Sequence, residues 1–383
     1  MRILHYIPTY APAWSFGGPV RSVSSLCEGL SRRGHTVTVF TTDAGLESDS
    51  TITRGAAIDR NGVEVRYFRR TTGWGIKSPE METAVKKYVS NYDLIHVTAV
   101  WQRTGPAGCR AAREAGVPYV ISPRGALGPY SWARGRIKKR LYYAIFERTN
   151  LLNASGFHYT SKMEMAECQP FQFEKPHSII PNSLNLQGWS RDNTARSYWR
   201  KILGCDQNSL LCLYAGRLHH KKGLEILPEI LAGNKNRPWR MAIVGNDSDG
   251  SGKRLAKDFA SRQLRERVNF LPAVKPEELP GLYSAADVFL MPSHHENFGN
   301  VAIEAAVCGC YVLASVGTAV AEQLEQLGAG NRLPRVTQAW TDALGLRKAD
   351  CPLSIECVNR VKKSFSEEYV AEMMESFYNS LVC

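Results

Sequence analysis

Short apolar runs alternate with stretches of helical period from the first residues onward, and this alternation restricts the chain more than any other feature. RILHYI is a short apolar run, and Val20, Val23, Leu26, Cys27 and Leu30 then recur at helical spacing; Gly34 follows as a helix stop, and HTVTVFTTD is largely β-branched. DLIHVTAV and PYVISPRG read as buried strands around a helix near GPAGCRAAREAG, which ends at Gly116. The second half repeats the pattern: LLCLYAGRL, WRMAIVGN, RVNFLPAV, DVFLMPS and CYVLAS are separated by LEILPEILAGN, KRLAKDFASRQLRERV and ELPGLYSAA. Such alternation implies mostly parallel sheets covered by helices on both faces. The expectation is an α/β chain of two doubly wound domains, 1–183 and 184–363, joined through the polar, aromatic stretch around Pro181. An amphipathic closing helix, 364–383, suits either domain and is expected to pack back on the first.

The 383 residues, 44% apolar and 22% charged, suffice for two domains and exclude disorder. No run of about 18 uncharged apolar residues exists, and the start reaches Pro8 too early for a signal sequence, so the expectation is a cytoplasmic protein without a spanning helix. The ten cysteines, Cys383 included, show no C-x2-C pair and read as free thiols; Cys308 and Cys310 read as packing rather than as metal ligands. The net charge is +12, and residues 1–182 hold 24 Lys and Arg against 14 Asp and Glu. A positive first half favours phosphorylated ligands or anionic surfaces.

In open parallel sheets ligands bind beyond the carboxyl ends of strands, and three such places carry chemistry. After RILHYI, Gly17-Gly18-Pro19 lets the backbone approach a ligand at a helix start, where free N–H groups favour an anion. After LLCLYA, Gly216 turns the chain sharply, and Arg217 with Lys222-Gly223 offers an arginine fork and a lysine point charge suited to a diphosphate. After DVFLMPS, Glu296 lies in the loop and Glu304 eight residues on inside a helix, with Phe298-Gly299-Asn300 between them exposing N–H groups at its N-terminus. A sugar hydroxyl and a ribose diol are natural partners for the two carboxylates.

Gly216-Arg217, Lys222-Gly223, Pro292-Ser293, Glu296-x7-Glu304 and Phe298-Gly299, in this order and with the Gly17-Gly18 loop, the PRG segment and Pro181-Asn182, resemble the retaining glycosyltransferases of family four. The resemblance covers nearly the whole chain and implies the GT-B architecture, two Rossmann-like domains facing across a cleft. By that resemblance Glu296 holds the donor sugar, Glu304 binds the ribose, and Arg217 and Lys222 neutralise the diphosphate leaving group. The backbone at Gly216, Phe298, Gly299 and Asn300 completes the cradle, and Gly18 meets the phosphate from the first domain. It further implies no divalent metal or other cofactor, a nucleotide-sugar donor with UDP-glucose as the expectation, and a glycan or lipid-linked glycan acceptor in polysaccharide synthesis. A nucleotide-sugar epimerase of related architecture and a non-enzymatic basic binding protein are the alternatives.

The chain departs from the family in two places. Ser122-Pro123-Arg124-Gly125 stands where a histidine is frequent, which makes Arg124 a candidate for acceptor or phosphate contact, together with Gly17 and His294; Asn182-Ser183 replaces an asparagine-glycine pair. The pairs His219-His220 and His294-His295 are expected to diverge and so to make poor metal sites. Asp247-Ser248-Asp249 reads as a surface turn, and His96 as a core histidine. The run WARGRIKKRLYYAIFER sets Arg134, Arg136, Lys138, Lys139 and Arg140 among aromatic and aliphatic residues, consistent either with a basic surface helix or with contact to an anionic membrane at the inner face of the plasma membrane. No recognition-helix, RNP or zinc-finger signature supports nucleic acid.

Overall fold

The structure, a computed structural model, describes residues 1–49, 51–71, 75–98, 100–133, 135–171 and 173–382. Arg134 and Cys383 lie outside the described residues. The chain divides into two compact units: Met1–Asn185 with Phe365–Cys383, and Leu186–Ser364.

Unit 1 is built on β1 (Arg2–Tyr6), β2 (Thr36–Thr42), β3 (Ala57–Arg60), β4 (Val63–Phe68), β5 (Leu94–Thr98), β6 (Tyr119–Ser122), β7 (Gly156–Tyr159) and β8 (His177–Ile179), in spatial order β3-β4-β2-β1-β5-β6-β7-β8. Every pairing is parallel except β3 with β4, a hairpin whose Asn61-Gly62 turn has φ of 55° and 83° at its two residues. That dipeptide accepts the left-handed backbone of a two-residue hairpin. The central strand β5 is buried at every position, because helices cover both faces. On one face helix Gly18–Arg32 buries Val20, Val23, Leu26, Cys27 and Leu30, and the closing helix Glu367–Val382 lies against it. Their approach is close: a Cβ on Gly29 would fall 2.7 Å from the Glu367 carbonyl oxygen. Val370, Met374, Phe377 and Tyr378 bury on this face, each worth about 2 kcal/mol in apolar area removed from water. Arg32–Glu367 and Arg33–Glu375 ion pairs flank the seam.

Unit 2 contains β9 (Leu210–Ala215), β10 (Trp239–Val244), β11 (Val268–Leu271), β12 (Val288–Met291), β13 (Tyr311–Ser315) and β14 (Gly330–Leu333), all parallel, in order β11-β10-β9-β12-β13-β14. β9 is buried throughout, and Trp340 fills the core beneath it. Both units are thus parallel-sheet, Rossmann-like α/β domains. Among the described residues no helix is long and apolar enough to cross a membrane.

Candidate active site

In unit 2 the loops that leave β9, β10, β12 and β13 are tied to one another through backbone. Gly216 N donates to Val244 O at 2.9 Å, and Leu218 N to Asn246 O at 2.9 Å. A Cβ on Gly245 would fall 1.9 Å from the Gly216 oxygen, so these two loops meet as they do because residue 245 carries no side chain. His294 N donates to Lys221 O at 2.9 Å, Glu296 N to Gly317 O at 2.7 Å, and Val320 N to Phe298 O at 3.0 Å. The carboxyl edge of the sheet is therefore a fastened rim rather than a set of independent loops.

On that rim Lys222 Nζ donates to Glu296 Oε2 across 74 residues of sequence. Both side chains are mostly buried, and the pair joins the loop after β9 to the loop after β12. Arg217 is exposed in the same loop after β9, and its side chain makes no hydrogen bond or ion pair with the described residues, while its carbonyl accepts from the buried Tyr214 hydroxyl at 2.9 Å. Helix Asn300–Val307 begins at Gly299, whose φ of 106° and lack of side chain leave the first turn without a side-chain cap. Phe298 is buried beneath the turn. Glu304 is buried too, its Oε2 accepting from the Tyr283 hydroxyl at 3.3 Å; burial first, and the neighbouring carboxylate second, push the Tyr283 phenol well above its ordinary range. A cation pair, an uncapped helix start and two carboxylates at different depths are thus assembled on one edge.

His294 is exposed and joins Glu225 at 2.9 Å, and Arg335 joins the same Glu225 at 2.6 Å. Arg335, Gly317 and Tyr283 were not marked by sequence reasoning: their partners are distant in the chain, and no local period announces them.

In unit 1 Gly17 has φ of 82° and caps helix Gly18–Arg32, whose first turn has no side-chain cap; Gly18 itself is exposed. A Cβ on Gly17 would meet nothing within 4 Å, so its glycine serves the backbone angle alone. Trp14 and Phe16, just before it, are exposed. Arg124, with φ of 54°, turns inward: its Nη1 donates to Asn182 Oδ1, and burial lowers its basicity against the opposing pull of Glu164. Glu164 accepts in turn from Gly125 N at 2.5 Å and Thr160 N at 2.7 Å. Arg124 therefore fastens the stretch that leaves β8.

One expectation is corrected. The rings of His219 and His220 do not diverge; their centroids lie 4.0 Å apart, because the chain turns from extended into a short 3-10 turn between them. Both face Asp249, with His220 Nδ1 2.9 Å and His219 Nε2 3.8 Å from its Oδ2. Their ligand atoms and that carboxylate all lie within 4.8 Å of one another. His219 Nδ1 already accepts from Lys221 N, and Asp249 accepts from His220 N and Ser251 N. Asp247 likewise accepts from Lys253 N at 3.1 Å, so the acidic turn caps the helix that follows.

Residues 17–183 match the family model for the glycosyl transferase 4-like domain, and residues 195–343 match that for glycosyl transferases group 1. A curated relative, D-inositol 3-phosphate glycosyltransferase of Xylanimonas cellulosilytica, is 30% identical over 68% of this chain and 64% of its own length. Its counterpart from Rhodococcus opacus is 26% identical over 91% of this chain and 82% of its own. The chain thus spans under two thirds of the first of these relatives. Among solved structures, sucrose-phosphate synthase from Thermosynechococcus elongatus superposes with a TM-score of 0.72 at 24% identity, covering 100% of this chain and 99% of that one. Anabaena HepE in complex with UDP-glucose gives 0.73 at 19% identity, covering 99% of this chain and 100% of that one. At such identities these structures establish the fold class, that of the GT-B glycosyltransferases. Together the two family matches place a glycosyl transferase 4-like domain before a glycosyl transferases group 1 domain across most of the length of the chain.

Proposed function

We propose that the chain transfers a hexose, with retention, from a nucleotide-diphosphate sugar to a glycan or lipid-linked glycan acceptor, UDP-glucose being the donor. The observation that carries this reading is the Lys222–Glu296 pair beside the uncapped start of helix Asn300–Val307. Lys222 and Arg217 bring two positive charges to one edge, where a diphosphate would gain negative charge as the glycosidic bond breaks. Donors held in place before the reaction act most strongly where charge develops, and one of them is worth about 10²–10³ in rate. N–H groups at the helix start add to that field.

Glu296, held by Lys222 and by the Gly317 carbonyl, presents a carboxylate to sugar hydroxyls. Glu304 accepts from a ribose diol at greater depth. The leaving phosphate takes the proton of the acceptor hydroxyl as that oxygen bonds to the anomeric carbon from the face the phosphate leaves, which preserves configuration. Positive charge from side chains and the helix start lets the step proceed without a divalent ion. The UDP-glucose complex of Anabaena HepE, a protein of the same fold, favours a uridine donor.

Thermal shift with UDP, GDP, ADP and their common sugars in the presence of EDTA tests the reading, since a ligand bound only by the folded state raises its stability. Stabilisation by UDP and UDP-glucose under EDTA is expected. A shift that appears only with added Mg²⁺ or Mn²⁺ would overturn metal independence; no shift with any nucleotide would overturn the donor assignment.

A further inference from the structure

Between Glu114 and Glu164 the sequence holds eight Lys and Arg and one acidic residue, Glu147. Glu147 is buried, and its Oε1 accepts from Trp101 N at 3.1 Å; this stretch therefore shows solvent no carboxylate.

Within it three helical pieces, Arg136–Tyr142, Tyr143–Glu147 and Arg148–Leu152, follow one another without a break, the middle one a π-helical turn. Tyr142, Glu147 and Leu151 face inward. The step of five from Tyr142 to Glu147 is the extra residue of the π turn, and it leaves both Ile145 and Phe146 outside. Ile137 is 84% exposed, Leu141 63%, Ile145 59% and Phe146 44%. Spacing by four sets Ile137, Leu141 and Ile145 along one ridge. Arg136, Lys138, Arg140 and Arg148 are exposed around it. Lys139 is used internally, its Nζ donating to Ser131 Oγ at 2.8 Å and lying 5.4 Å from the Trp101 ring centroid. Trp132, Tyr142 and Tyr143 also turn inward, toward Trp101 and Phe171.

We propose that this face docks on an anionic phospholipid membrane, the ridge entering the acyl boundary while the four cations meet the headgroups. Soluble proteins seldom leave a contiguous aliphatic and aromatic ridge uncovered, and a ridge rimmed by Arg and Lys is the composition of an interfacial helix. A second copy of the chain, meeting this face through a two-fold axis, would set the same cations against one another. Nucleic acid would leave the ridge exposed. The docking stands independently of the proposed transfer; only its extension, that the acceptor is lipid-linked and met at the membrane surface, rests on that reading.

Flotation of the full chain with vesicles tests it, using phosphatidylcholine alone and with about 30% phosphatidylglycerol, at about 50 mM and about 500 mM salt. Binding to the anionic vesicles at low salt, lost at high salt and on neutral vesicles, is expected. Ile137→Asp with Leu141→Asp, and separately Arg136→Glu with Lys138→Glu and Arg140→Glu, should each lower partitioning at least about tenfold. All five side chains are surface ones, and an unchanged melting temperature shows each variant folded. Failure of the parent chain to float at low salt, or flotation of both variants equal to that of the parent, would overturn the proposal. So would a dimer that the Ile137→Asp, Leu141→Asp variant converts to monomer without a change in flotation. Flotation without any UDP-induced thermal shift would instead break the donor reading and leave the docking intact.

Discussion

In unit 1 three imidazoles are buried side by side. His5, His96 and His158 lie on β1, β5 and β7, with ring centroids 4.9 Å apart for the first two and 5.4 Å for the last two. His96 Nδ1 meets the Tyr378 hydroxyl of the closing helix at 2.6 Å, His158 Nε2 meets Ile180 O at 2.9 Å, and neither nitrogen of His5 has a hydrogen-bond partner among the described residues. In unit 2 a carboxylate, Asp287, is buried in a charged network, held by Arg196 at 2.8 Å, by Arg200 at 3.1 Å and by the Leu211 and Asp350 N–H groups. Both guanidiniums are themselves satisfied, Arg196 by Ala285 O and Arg200 by Ser209 O. The imidazole cluster of the first unit must stay neutral; the Asp287 network of the second buries charges whose bonds are complete. Neutral burial is stable only while pH keeps it neutral, whereas a paired network is insensitive to mild acid but intolerant of losing a member.

Acid should separate the two units most widely. Burial, with a smaller push from Arg124, lowers His5 to about 3; burial also lowers His158 to about 3 and His96 well below its usual range. The unfolded chain takes up these protons near pH 6.5 and the folded one does not, so the contribution is complete above 6.5 and falls as pH drops toward 3. Each histidine loses about 1.4 kcal/mol per pH unit, and three together about 4 kcal/mol. Peptide-resolved hydrogen exchange between pH 7 and 5 should show β1, β5 and β7 losing protection while β9 and β12 keep theirs. Equal loss in both sheets would break the contrast.

Asp287→Ala should act in the reverse sense, leaving buried Arg200 without a charge partner and buried Arg196 with only the exposed Asp350 at 3.2 Å. A loss of about 3–5 kcal/mol confined to unit 2 is expected, readable by the same exchange measurement; an effect below about 1 kcal/mol would mean that the network is wetter than its burial implies.

Lys222→Ala and Glu296→Ala probe the rim rather than the core. Each should lower turnover about 10²–10³-fold with little change in melting temperature, and the double variant should fall well short of the product of the two, because they share one ion pair. Full additivity in kcat/KM would show the two acting separately. The smallest effect belongs to Gly17→Ala, where nothing crowds the added methyl and only the backbone angle is strained, at about 1–3 kcal/mol. Urea denaturation measures it, and a neutral result would place the Gly17 turn among adaptable loops.

Much of this was readable in the chain. Nine strands, β1, β2, β5, β6 and β9 to β13, stand on apolar runs, and the glycines at 216, 223 and 299 stand where φ is positive or a neighbour leaves no room. The β3–β4 hairpin is also legible, through Asn61-Gly62 between alternating runs, although helix-strand alternation by itself does not announce it. Strands β7 and β8 are short and carry histidines, so their burial comes from the neighbours rather than from their own composition. The convergence of His219 and His220 was not legible either, since it depends on one backbone change between adjacent residues.

Local order determined what each segment could be. Period and punctuation set the parallel α/β class, charge set the basic first half, and the spacing of Glu296 and Glu304 set one carboxylate in the loop before a helix and the other inside it. Tertiary structure decided which groups meet. Lys222 reaches Glu296 only because β9 and β12 are neighbours in the sheet; Tyr378 reaches His96 only because the closing helix lies on that face. Glu147 is buried within a basic helical run because the Trp101 amide, 46 residues away, donates to it. A side chain's period fixes the direction it faces, but the partner waiting there belongs to residues far along the chain, brought near by packing that no local pattern encodes.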